Sequence, residues 1–244
     1  MSEISTAPAS TAAGSAPQHP LFVRVSHWTS AAAFAILFLS GIAILLAHPR
    51  LYWGETGAVG GPSLIDLPLP FVLDIPIRGP GRYLHFLAAW ICVLTGVAYV
   101  VAGIVWGHFA RRFVPPRGDL TVRAVGDVVR GHFQPAYVRG TLPGTYNVLQ
   151  RLTYSVVVFA LLPLMICSGL AMSPAVTSVV PVVVTVFGGQ QSARTIHFFV
   201  ACALTLFVLL HIVLVWQSGF TPQMRAMILG RARRSGSPIE TEAA

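Results

Sequence analysis

Lysine is absent from the chain, acidic residues number only eight in 244 positions, and cysteine occurs three times. Charged residues of all kinds make up 10% of the chain, against about a quarter in a soluble globular domain. That deficit excludes an ordinary soluble fold. Cys92, Cys167 and Cys202 all lie in apolar stretches, and none stands in a CxxC or CxxCH arrangement. Disulfides, a zinc site and covalent haem attachment are thereby unsupported, and the thiols read as small core residues. With lysine missing, the net charge of +8 is carried by sixteen arginines.

What the chain has in quantity is apolar sequence, at 55% of its residues. Four runs, residues 21–47, 83–106, 152–172 and 194–216, are long enough to cross the roughly 30 Å hydrocarbon layer of a bilayer as helices. Residues 1–20 are small, polar and proline-bearing, with Glu3 where a signal peptide would carry positive charge, so they read as a flexible tail. Residues 48–80 hold six prolines and several glycines and read as a loop of turns. Residues 107–150 are polar and basic, and within them 120–129 alternate in a way that allows a short helix on the membrane surface. Residues 173–192 are apolar but broken by Pro181 and too short to span, which places them as an outer-surface or re-entrant segment. The expected organisation is an N-terminal tail (1–20), an all-α, four-helix membrane domain (21–217) and a basic tail (218–244).

Four spans return both termini to one side. The flanks and loop on that side hold twelve arginines, and the opposite side holds four: Arg50, Arg78, Arg82 and Arg194. The positive-inside rule then makes the N and C termini cytoplasmic. The charge is a signal of topology towards membrane lipid, and nucleic acid drops out as a partner.

The fourth run, RTIHFFVACALTLFVLLHIVLVW, carries His197 and His211 fourteen positions apart. On a helix that spacing leaves two imidazoles about 40° apart in azimuth and about 21 Å apart along the axis. With the topology above, His27 begins the first span at the inner level and His85 begins the second at the outer level. His197 joins the outer level and His211 the inner. The four sort by depth into His27 with His211 and His85 with His197. Ionisable side chains are costly inside a bilayer and are therefore suspected of function. A pair of imidazoles from facing helices is how a bundle holds a b-type haem without covalent attachment.

The flanking residues agree. Arg24, Arg82 and Arg194 each stand three residues before a histidine in an RxxH pattern, one turn nearer the surface on the same face. There a guanidinium suits the carboxylates of a haem. Gly41 lies about 40° off the face of His27, and Gly96 and Gly103 lie within about 20° of the face of His85, so each helix would ligate one haem and thin where the other lies. Small residues also serve plain helix contact. Structural histidines or a proton path are the other reading of the four rings. His48 and His108 are rival ligands at the outer and inner levels, but both abut loops where a haem would be exposed.

At these residues the chain resembles the bacterial cytochrome b561-type family, which includes the cytochrome b subunits of nickel-iron hydrogenases and the related formate dehydrogenase and thiosulfate reductase subunits. The matching pieces are RVSHWTSAAAFAILFLSG in the first span, RYLHF in the second and HFF…LLHI in the fourth. The resemblance implies two haems b on His27, His85, His197 and His211 in the bacterial inner membrane. The stretch TYNVLQRLTYSVVVF entering the third span is similar to members that accompany molybdenum-containing oxidoreductases.

The expected function is a membrane subunit passing electrons between a partner oxidoreductase at the outer face and the quinone pool, with quinone as substrate. Two alternatives stand beside it. One is a self-contained enzyme of the same fold that oxidises a small external reductant such as superoxide; the other is a haem-free transporter or scaffold. A homo-oligomer is compatible with either class.

Overall fold

The computed structural model describes residues 19–57, 61–67, 78–109 and 148–230. The expectations for most of the N-terminal tail, for the surface helix at 120–129 and for the end of the C-terminal tail lie outside these residues. Four helices are long and apolar enough to cross a membrane: Leu21–Ala47, Gly81–Val105, Gln150–Ala171 and Gln190–Gln217. They coincide with the four apolar runs. Leu39, Leu94 and Leu206 are more than half exposed, as suits side chains facing lipid, while buried positions fall to small residues such as Ala33, Ala88, Ser168, Ala171 and Ala193. Small residues let helix backbones approach where no hydrophobic effect drives them together.

The first span packs chiefly on the second, and the third on the fourth. Between the third and fourth spans Val157, Val200 and Leu204 form a buried cluster, flanked by Phe34 of the first span and by Met165, Ile196 and Phe207. The third span is not a uniform α-helix, because residues Val157–Leu161 are π-helical and the Leu162 N–H bonds the Val157 carbonyl five residues back. Pro163 accounts for the widening: it has no N–H to donate, and its ring would strike the carbonyl of Phe159 in a regular helix. One residue gained in this way turns every later side chain by about 100°, and Ser168 lies beyond it.

The loop after the first span needs one amendment to the all-α reading. Arg50–Leu51 and Ile65–Asp66 pair as antiparallel strands, Arg50 opposite Asp66 and Leu51 opposite Ile65. The Arg50 Nε–Asp66 Oδ2 ion pair, at 3.1 Å with both side chains about half exposed, contributes little. Docking contributes more. The carbonyl of Gly54 accepts from the N–H groups of Gln191 and Ser192 at 3.0 and 3.3 Å, and Gly54 N–H donates to Ser192 Oγ at 2.7 Å. Thr195 Oγ1 donates to the Tyr52 carbonyl at 2.7 Å. The hairpin thus satisfies N–H groups that a helix start leaves without partners, which is why the fourth helix begins at Gln190 and not at Arg194.

Of the segment expected at 173–192, two short helices form, Pro174–Thr177 and Val182–Val186, too short to span, and residues from Gln190 onward belong to the fourth helix. Beyond the fourth span the chain continues as a helix, Phe220–Leu229, closed by Gly230 at φ +77°.

A Cβ at Gly189 would run into the backbone of Gly54 and Glu55. Its φ of +116° with ψ 164° is also a region nearly reserved for glycine, at about 1–3 kcal/mol for other residues. Gly189→Ala should lower the apparent unfolding temperature in detergent by several degrees, at about 2–4 °C per kcal/mol. An unchanged temperature in a thermal-shift assay contradicts this docking.

Candidate functional site

The four histidines expected from depth meet in the expected pairs. His85 of the second span faces His197 of the fourth with ring centroids 6.4 Å apart and planes at 59°. His27 of the first span faces His211 of the fourth at 6.2 Å and 54°. The first pair lies at the hairpin end of the bundle and the second at the end where the chain termini emerge. A metal–imidazole bond of about 2 Å, with the ring centre about 1 Å further, puts two rings on opposite sides of one metal about 6 Å apart. Both gaps have that size.

The number of ligands narrows the metal. Among the described residues no group of three or more His, Cys, Asp or Glu side chains is placed to hold an ion. A facing pair of imidazoles is the ligand set that a b-type haem iron would take from a protein, the macrocycle supplying the rest.

At the hairpin end both rings are anchored. Ser40 Oγ lies 3.0 Å from His85 Nδ1 and 2.6 Å from the Ile36 carbonyl. Ser168 Oγ lies 3.0 Å from His197 Nδ1 and 3.1 Å from the Met165 carbonyl. With each hydroxyl hydrogen directed to a carbonyl of its own helix, each Oγ has a lone pair for Nδ1–H in the tautomer that carries the proton there. That tautomer leaves the lone pair on Nε2, the nitrogen available to a metal. The glycines following these serines keep the space open: a Cβ at Gly41 would lie 3.7 Å from His85 Cε1, and one at Gly169 would lie 3.3 Å from His197 Cε1.

The pair at the terminal end is held differently. His27 Nδ1 is buried without a hydrogen-bond partner among the described residues, and Trp28 meets the ring edge-on at 5.2 Å. Phe207 stacks on His211 at 5.9 Å with planes 23° apart. Nothing among the described residues lies within 4 Å of a Cβ added at Gly96. Gly103 does not serve this purpose, because the Phe109 ring folds back onto it.

The arginines of the RxxH pattern take positions the sequence did not predict. Arg24 donates to the carbonyl of Ile228 in the C-terminal helix while its Nε stays buried and unpartnered. Arg194 donates to the carbonyl of His48, and Arg82 is exposed. The Arg50–Asp66 pair is the one salt bridge among the described residues, so no carboxylate among them pairs with these guanidiniums, each of which has five N–H donors. The rival His108 sits among Phe22, Tyr99 and Phe109. His48 contributes its carbonyl to Arg194. Sequence reasoning missed Ser40, Ser168 and Gly169; the available signal was a Ser-Gly pair recurring inside the first and third spans.

The model of the prokaryotic cytochrome b561 family matches residues 18–230. The chain belongs to that family. It is a haem b-binding, multi-pass cytochrome b of the bacterial inner membrane, concerned with electron transport. Among its relatives, this cytochrome is 28% identical over 197 residues to a putative protein-methionine-sulfoxide reductase subunit, YedZ1, of Azospira oryzae, covering 81% of the present chain and 89% of the relative. No solved structure matches it.

Proposed function

We propose that this cytochrome holds two haems b, one between His85 and His197 and one between His27 and His211, and serves as the membrane subunit of an oxidoreductase. The observation that carries the reading is the pair of 6.4 and 6.2 Å ring separations at levels about 21 Å apart along the fourth span. Haem iron supplies reversible one-electron transfer. The chain's own part is to grip the iron, orient the ring and exclude water, through the two imidazole pairs and the apolar walls between them.

The arginine asymmetry supports cytoplasmic termini, which puts the hairpin end at the outer face. A partner oxidoreductase would dock there, and quinone would exchange electrons with the other haem. The Azospira relative is a putative subunit of a reductase, which favours electrons running from quinol to the partner. Arg24, Arg82 and Arg194 remain available to haem carboxylates through their unused donors, and Gly41 and Gly96 leave room for the macrocycles.

The test is the haem content and spectrum of the full-length protein purified in mild detergent. Reduced b-type bands at two haems per chain, with a short-chain quinol able to reduce them, are the expected result. One haem per chain, or none, overturns the reading.

A further inference from the structure

We propose that Ser40 and Ser168 are positioning residues that lower the reduction potential of the hairpin-end haem through its two axial imidazoles. The inference rests on the reading of His85 and His197 as axial ligands. The first and second spans supply one half of the device and the third and fourth the other. In each half a serine Oγ on one helix lies 3.0 Å from Nδ1 of the histidine on its neighbour, and in the tautomer that leaves Nε2 free for the metal it accepts Nδ1–H. Each passes its own hydrogen to a helix carbonyl, that of Ile36 at 2.6 Å or of Met165 at 3.1 Å. Ser40 is 7% exposed and Ser168 is 0% exposed, so water does not compete for either bond.

Such a relay has a direction. Drawing the Nδ1 hydrogen towards an oxygen increases the electron donation of Nε2 to the metal, and hydrogen bonds linked in series polarise one another. Stronger donation favours the more positive, ferric state and so makes the iron harder to reduce. At the other level His27 Nδ1 is buried with no hydrogen-bond partner among the described residues, so that ring lacks the serine support that both hairpin-end rings have.

The experiment is a redox titration of the full-length, haem-loaded protein, followed by its reduced-minus-oxidised spectrum. The variants are Ser40→Ala, Ser168→Ala, their double and Ser40→Thr, with the His211→Ala protein identifying the hairpin-end component. The double alanine variant should keep its haem and raise the ferrous-to-ferric ratio of that component about tenfold at a fixed potential, about 59 mV for one electron. Each single variant should give part of that shift, Ser40→Thr none, and the terminal-end component should stay in place. Haem loss in Ser40→Ala that Ser40→Thr restores also supports the hydroxyl's role. Unchanged potentials at full haem content overturn the proposal, as does an equal effect of Ala and Thr at position 40. The ligand reading fails separately, if His85→Ala leaves both haems in place.

Discussion

His85→Ala and His197→Ala should each cost the purified protein one haem, and the same one. The two rings are 6.4 Å apart, so either substitution leaves its partner facing a gap that one imidazole cannot bridge. Two axial bonds act as a unit, and losses within a unit do not add. The His85→Ala/His197→Ala double variant should therefore lose no more haem than either single. His27→Ala and His211→Ala should remove the other haem, for the same reason at 6.2 Å. Combining one substitution from each level should give a colourless protein. Haem extracted per mole of protein measures all of these, and the bands of the surviving haem show that each single variant is folded. If the two singles at the hairpin end emptied different sites, pairing by depth would be wrong.

That pairing was legible before any coordinates, because it needs only the length of an apolar run, the rise of a helix and the alternation of direction between spans. His197 and His211 sit fourteen residues apart on one helix, and no packing detail alters which of them lies near which surface. The serines were not legible in the same way. Whether Ser168 reaches His197 depends on the angular setting of the third span, which shifts at the π-helical turn before Pro163, and on its register against the fourth. The hairpin escaped for another reason: strands of two residues have no period to detect. The RxxH arginines were read from their own helices alone. Arg24 bonds the carbonyl of Ile228, contributed by a helix 204 positions later in the chain, and local spacing holds no information about such a partner.

Gly169→Val should empty the hairpin-end site while leaving the terminal-end haem bound. An added Cβ at position 169 already falls 3.3 Å from His197 Cε1, closer than ordinary contact, and valine's two methyl groups extend beyond it. The ring cannot yield towards Ser168, which is 0% exposed and bonded to its Nδ1, so it must tilt out of line with His85. Displacement of a ligand's supporting contacts costs about 10–100-fold in metal affinity, and a ring moved bodily should fall at the upper end. Gly41 provides the graded comparison on the opposite ligand. Its added Cβ would sit 3.7 Å from His85 Cε1, an ordinary contact, so Gly41→Ala should lose less haem than Gly169→Val. The competing reading of both glycines is close helix packing alone, under which Gly169→Val would lower thermal stability yet leave haem content and both midpoint potentials as they were. Haem stoichiometry and a thermal scan on the same preparation separate the two.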